Sequence, residues 1–172
     1  MDKKTDLRVK AKNIRRSIDI TDVSKKLVGL IRKHQSYFRA KNVLLYYPKV
    51  YEVDLRDLLK DNKNFYLPRV EGDILAVCPY KLGDKLVVSR FNLLEPISAP
   101  VDPRKIDLII TPALMVNKEG YRLGYGNGYY DRLLTSLEDS DVQTLCAMPV
   151  ELVNENLPHN FYDVPVNYVV YI

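Results

Sequence analysis

No run of apolar residues in the chain approaches the roughly 20 needed to cross a bilayer as a helix, so no membrane partner is expected. The opening Met-Asp-Lys-Lys-Thr-Asp has no hydrophobic stretch behind it. A secretory signal is therefore not expected, and the expected compartment is the cytoplasm. Cysteine is scarce: Cys78 and Cys146 each sit in an apolar, strand-like run. Both are expected as buried, reduced thiols, and no Cys/His spacing describes a zinc site. His34 and His159 have no set of partners around them in the sequence and are expected at the surface. There is no internal repeat, no low-complexity segment and no convincing domain boundary.

What is present fits one domain over residues 1–172 with a sizeable core. The apolar fraction of 47% is that of a globular protein. The net charge of +4 is unevenly spread: residues 1–41 carry +9 and the remainder −5. A basic N-terminal segment implies an anionic partner. Charge alone does not choose among a nucleotide, a polyanionic small substrate, nucleic acid and no partner at all.

Leu7, Ala11, Ile14 and Ile18 recur at helical spacing, which predicts an amphipathic helix over 3–18. Asp19 to Thr21 breaks it and can cap a second helix ending near Lys41. Strands are expected at 43–47, 65–67 (stopped by Pro68), 74–78, 86–88, 106–111, 144–148 and 167–171. A helical segment is expected at 54–60, a proline-rich loop at 95–104, and a helix at about 128–137. Strands alternating with helices argue for an α/β domain with a mostly parallel sheet. Function in such sheets gathers at the carboxyl ends of strands, here after Tyr47 and Thr111.

The informative segment is Arg122-Leu123-Gly124-Tyr125-Gly126-Asn127-Gly128-Tyr129-Tyr130-Asp131. Alternating glycines let backbone N–H groups turn toward an anion and approach it closely. The helix that follows favours negative charge at its start. Arg122 can offer a fork of donors to phosphate, and Asp131 a hard oxygen to magnesium. The loop lacks the Gly-Lys-Ser/Thr of a P-loop. It also differs from a dinucleotide fingerprint in glycine spacing, and no strand is expected to lead directly into it. A plain glycine-rich turn over packed tyrosines is the competing explanation.

This segment resembles the signature of the 5-formyltetrahydrofolate cyclo-ligase family, Arg-Leu-Gly-x-Gly-x-Gly-Tyr-Tyr-Asp. Other family-like pieces stand in the right order: Lys4 to Arg8, Tyr46-Tyr47-Pro48 before Glu52-Val53-Asp54, Leu67-Pro68-Arg69, Glu95-Pro96, Asp107, Leu157-Pro158 and Asp163. The chain departs from the pattern in three places. A usual Pro-Gly-x-x-Phe-Asp reads Pro112 to Asn117, a usual His-Asp reads Tyr162-Asp163, and a later acid is Asn167.

The resemblance implies a three-layer α/β/α fold and an enzyme that converts 5-formyltetrahydrofolate to 5,10-methenyltetrahydrofolate. ATP is the co-substrate and Mg2+ the metal; ADP and phosphate are released. By resemblance, Lys4, Arg8 and the segment Arg122, Leu123, Gly124, Tyr125, Gly126, Asn127, Gly128, Tyr129 and Tyr130 hold ATP. Arg122 also stabilises charge during transfer. Tyr47, Glu52, Tyr125, Gly126, Asn127, Gly128 and Tyr129 line the folate site. Asp131 and Asp163 hold the metal. Lys10, Lys12, Arg15 and Arg16 are read as solvated. The expected partners are reduced folate and ATP, with no nucleic acid, and a monomer is expected.

Three rivals stand beside this reading: a silent folate or nucleotide binder, a nucleic-acid binder using the basic helices, and another enzyme on a similar scaffold, such as a sugar-phosphate isomerase. No recognised nucleic-acid motif supports the second.

Overall fold

The computed structural model describes residues 3–172; Met1 and Asp2, where the polar N-terminus begins, lie outside the described residues. Two helices open the chain, α1 (Lys3–Ser17) and α2 (Ile20–Lys33), with Asp19 capping α2 by accepting from the Asp22 N–H. The second helix stops earlier than its apolar spacing predicts. His34 is extended and caps a separate short α3 (Gln35–Arg39).

A six-stranded sheet forms the middle of the molecule. In chain order its strands are β1 (Asn42–Leu44), β2 (Asn64–Glu71), β3 (Ile74–Tyr80), β6 (Leu108–Thr111), β9 (Gln143–Met148) and β10 (Tyr168–Tyr171). Across the sheet they run β10-β9-β6-β1-β2-β3, all parallel except the β2/β3 hairpin. Two small hairpins complete the set: β4 (Leu86–Val88) with β5 (Leu94–Pro96), and β7 (Met115–Val116) with β8 (Arg122–Leu123). The remaining helix is α4 (Tyr129–Thr135), and 3-10 turns occupy Arg56–Lys60, Pro103–Lys105 and Val150–Leu152.

Alternation along the central strands builds two cores. Leu44, Ile109, Cys146 and Met148 point to one face, where Ala11 of α1 and Leu133 and Leu134 of α4 cover them. Val43, Leu45, Leu108, Ile110, Leu145 and Ala147 point to the other, under Leu27, Val28 and Ile31 of α2 and Tyr37 of α3. Strands buried on both faces explain the uninterrupted apolar runs in the sequence. The three-layer α/β/α expectation is borne out.

Several local expectations are corrected. The helical segment expected at 54–60 is a 3-10 helix over Arg56–Lys60, and β5 overlaps the start of the expected proline loop. β2 continues through Pro68 to Glu71. Its partner β1 pairs it only up to Tyr66, so beyond that point one edge is open, and proline is tolerated on an open edge. No helix among the described residues is long and apolar enough to cross a membrane.

Cys78 and Cys146 are both free and fully buried, as expected. Burial raises the Cys78 thiol above its ordinary pKa and pushes Cys146 up to about 11. A raised pKa leaves little thiolate, the reactive form, at neutral pH. The native protein should therefore show no rapidly reacting thiol with a disulfide reagent at mildly alkaline pH, and two after denaturation. A fast native equivalent would contradict the burial of one of them.

Candidate active site

In the sheet order, β1 has β2 on one side and β6 on the other, so the chain reverses its direction of winding at β1. Open α/β sheets leave a crevice at such a switch point, beyond the carboxyl ends of the two strands. Here the loop after β1 carries Tyr46, Tyr47, Lys49 and Glu52, and the loop after β6 begins at Pro112. A cleft of about 1190 Å³ opens there, lined by all of these together with residues of α1, β8, α4 and the C-terminal loop.

Every residue that the sequence nominated lies on this cleft: Lys4, Arg8, Tyr47, Glu52, the whole of Arg122–Asp131, and Asp163. Their origins differ. Lys4 and Arg8 are one helical turn apart on α1 and share a face. Arg122 and Leu123 form β8, which runs straight into Gly124, so a strand does lead into the glycine loop, contrary to the sequence expectation. The sequence concealed it because a two-residue strand has no readable period. The helix after the loop is also shorter than expected, covering only Tyr129–Thr135.

At one end of the cleft the cations of α1 lie against the glycine loop. The Arg8 Nε donates to the Gly124 carbonyl at 3.0 Å. At Gly126 φ is +112°, and a Cβ there would stand 3.5 Å from the Arg8 guanidinium. Only glycine adopts that backbone readily while leaving the cation against the loop. Lys4 Nζ meets Asp163 Oδ2 at 2.5 Å, and the same oxygen accepts the Asn160 N–H at 2.8 Å. Arg122 donates to Asp131 Oδ1 at 2.9 Å and to the Val164 carbonyl at 2.5 Å, while the Val164 N–H also reaches Asp131 Oδ1, at 3.1 Å. These bonds draw Asp131 and the segment containing Asp163 to one rim.

Among the described residues no group of three or more His, Cys, Asp or Glu side chains gathers as a metal cage. Magnesium held chiefly by phosphate and water needs only one or two carboxylates, and this rim carries two, Asp131 and Asp163, each paired here with a cation.

At the other end stands Glu52, only 4% exposed although it lies in a loop. Its Oε1 accepts from the Tyr125 hydroxyl at 2.6 Å and its Oε2 from the Lys49 N–H at 2.7 Å. The Lys49 ammonium lies 3.9 Å from the centre of the Tyr125 ring. Burial lowers its pKa, with Glu52 opposing the shift. Burial, reinforced by Glu52, raises the Tyr125 pKa, so this hydroxyl stays protonated and remains a donor. Tyr47 shapes the wall nearby, with its hydroxyl accepting from Arg56 at 2.8 Å. Tyr129 is tied to the β2/β3 turn through the Gly72 carbonyl at 3.2 Å. Tyr130 differs from the others. Its hydroxyl is the one buried side-chain polar atom without a hydrogen-bond partner among the described residues, and burial raises its pKa.

Arg15 is a correction. The sequence reading left it solvated with Lys10, Lys12 and Arg16, yet it is 4% exposed. It donates to the Ala113 carbonyl and, at 3.1 Å, to the Tyr125 hydroxyl, and it lies 3.9 Å from Glu52 Oε1. A signal was present: Arg15 follows Ala11 by one turn, on the same face as the buried stripe. Lys49 was also missed, and nothing in its sequence context marks it. His159, expected without a partner, stacks on Tyr121 with ring centres 3.6 Å apart; it remains exposed.

Two residues of the departing segments, Asn117 and Asn167, turn out to be structural, whereas Tyr162 lines the cleft. Asn117 Oδ1 accepts the Tyr121 N–H at 2.9 Å and closes the β7/β8 hairpin. Asn167 Oδ1 accepts from the Thr144 N–H and hydroxyl, at the amino ends of β9 and β10, opposite the cleft.

The sequence profile described as the 5-formyltetrahydrofolate cyclo-ligase family matches residues 1–172. A 5-formyltetrahydrofolate cyclo-ligase of Haemophilus influenzae is 30% identical over 155 residues, covering 84% of this chain and 80% of that protein. The Escherichia coli K12 protein of the same name is 31% identical over 124 residues, covering 67% of each chain. The solved structure of Aquifex aeolicus 5,10-methenyltetrahydrofolate synthetase superposes with a TM-score of 0.82 at 32% identity, over 98% of this chain and 89% of that one. A match of this extent agrees with the glycine loop, its flanking charges and the switch-point cleft, and the chain belongs to the 5-formyltetrahydrofolate cyclo-ligase family.

Proposed function

We propose that this chain catalyses the ATP-dependent cyclisation of 5-formyltetrahydrofolate to 5,10-methenyltetrahydrofolate, releasing ADP and phosphate, and that it acts as a single-domain cytoplasmic monomer. The observation that carries the reading is the two-ended cleft. Lys4, Arg8, Arg122 and the glycine loop gather at one end, and the buried carboxylate of Glu52 stands at the other.

The chemistry asks for such an arrangement. A formyl group on nitrogen is amide-like: its carbon is a poor electrophile and its oxygen a poor leaving group. Transfer of the γ-phosphoryl group to that oxygen cures both faults. The neighbouring aniline-type nitrogen then attacks the carbon and loses its proton, and the C–O bond breaks with departure of phosphate. Positioning and charge neutralisation matter more here than a strong base.

Lys4, Arg8 and the loop amides hold the phosphates, and Arg122 stabilises the charge that develops in transfer. Glu52 accepts from the amino and ring N–H groups of the pterin, with Tyr47 and Tyr125 as flat walls. The unpartnered Tyr130 hydroxyl is a buried donor for the bound ligands. Magnesium, held by ATP phosphates with Asp131 and Asp163, would supply further neutralisation of phosphate charge.

The test is an absorbance assay for the methenyl product with 5-formyltetrahydrofolate, ATP and magnesium, each omitted in turn. Product that requires all three is expected. No product from a folded sample would sink the proposed activity, and ligand binding without turnover would make the chain a silent binder.

A further inference from the structure

Arg15 stands outside the cleft lining and instead lines a smaller neighbouring pocket of about 510 Å³, which shares Tyr47, Lys49 and Tyr125 with the cleft. Its guanidinium touches three segments that are remote in sequence: the Ala113 carbonyl after β6, the Tyr125 hydroxyl in the glycine loop, and the neighbourhood of Glu52 after β1. The side chains of Arg15 and Glu52 are 5% and 3% exposed, so solvent screens their attraction little. Tyr125 is caught between them. Its oxygen accepts from Arg15 while its proton goes to Glu52 Oε1. The backbone N–H of Lys49 fixes the other carboxylate oxygen. Both oxygens of Glu52 are thereby oriented, one of them through Arg15.

The helix that bears Arg15 also bears Lys4 and Arg8. Positions 4, 8 and 15 fall on one face of α1, since 4 and 11 residues are close to whole numbers of turns. One rigid rod about 16 Å long, at 1.5 Å per residue, thus carries the cations of the phosphate end and the anchor of the carboxylate end.

We propose that Arg15 is a positioning residue for the folate: acting through Tyr125 and Glu52, it fixes the carboxylate that receives the pterin edge and registers that end of the cleft against the phosphate end. The inference rests on the assignment of Glu52 to the folate. Its consequence is selective. Loss of Arg15 should disturb folate recognition and affect the ATP site far less, since Arg15 meets the glycine loop through the Tyr125 hydroxyl and not through the backbone amides that would hold phosphate.

The experiment compares Arg15→Met, Arg15→Lys, Glu52→Gln and the double variant Arg15→Met/Glu52→Gln, with KM measured separately for each substrate. In Arg15→Met the KM for 5-formyltetrahydrofolate should rise about tenfold or more, since small misplacements of a recognition group cost that much, while the KM for ATP stays within about twofold. Arg15→Lys keeps the charge but cannot span Ala113 and Tyr125 together, so it should fall between wild type and Arg15→Met.

If Arg15 acts only through Glu52, adding Arg15→Met to Glu52→Gln should change the folate KM little further. A general loss of stability would lower the active fraction without separating the two KM values. An unchanged folate KM in both Arg15 variants, beside a raised one in Glu52→Gln, overturns the positioning role alone. An unchanged folate KM in Glu52→Gln removes the Glu52 assignment and this inference with it. Should Arg15→Met fail to fold, Arg15→Lys decides: a wild-type folate KM there overturns the proposal.

Discussion

Arg122→Ala is expected to lower turnover by about a hundredfold or more, the usual cost of removing a donor aimed at charge that develops in the transition state. The side chain is only 4% exposed, yet it lines the cleft beside the glycine loop. Its bonds to Asp131 and to the Val164 carbonyl hold the rim where both candidate metal ligands lie. The substitution therefore also leaves Asp131 without its cation, and a stability loss of about 1–3 kcal/mol should accompany it. The fold should survive, because Arg122 lies on a two-residue strand outside the central sheet. Turnover measured with folding checked by circular dichroism tests this. A folded variant with near-normal turnover would remove the phosphate role. Arg122→Lys should recover only part of the activity, since an ammonium cannot make the planar, forked contact.

Gly120→Ala should be among the most destabilising single-methyl additions in the molecule. Gly120 has φ +94°, and an added Cβ would stand 2.2 Å from the Val166 carbonyl oxygen, a backbone atom that cannot step aside. The contact is tight for a reason: the Gly120 carbonyl accepts the Val166 N–H at 2.9 Å, pinning the β7/β8 turn to the segment that leads into β10. Strain of both kinds should cost about 3 kcal/mol or more. For a chain of this size that corresponds to a fall in Tm of roughly 6–12 °C. The same methyl at Gly29, in the middle of α2 with no atom within 4 Å of its Cβ position, should instead stabilise by up to about 1 kcal/mol. Thermal melts of the two variants should move in opposite directions. A Gly120→Ala melt within about 1 °C of wild type, a stability change of only a fraction of a kcal/mol, would show that the two segments part without cost.

Much of the sheet was legible because its central strands are buried on both faces. Leu108, Ile109, Ile110 and Thr111 of β6 are all buried, and such a run reads as a strand without any knowledge of its neighbours. The ten-residue segment Arg122–Asp131 was legible for a different reason. A phosphate-holding loop needs glycine, charge and flanking polar groups close together in sequence, so its chemistry is local. Less was legible where geometry depends on partners. The break at His34 separates α2 from α3 although apolar residues continue at helical spacing. β7 and β8 are too short for any period.

The sequence by itself determined the layered α/β architecture, the glycine loop and the concentration of positive charge in the first 41 residues. It did not determine which of those charges the interior would take. Lys12, Arg15 and Arg16 are near neighbours on one basic helix, yet only Arg15 is buried. A buried cation is tolerable only where acceptors replace its water. Those acceptors come from Ala113 and Tyr125, which lie 98 and 110 positions away along the chain, with Glu52 close by. The folding of distant loops around the β1/β6 crevice brings them together, and that is why tertiary structure alone separated Arg15 from its neighbours.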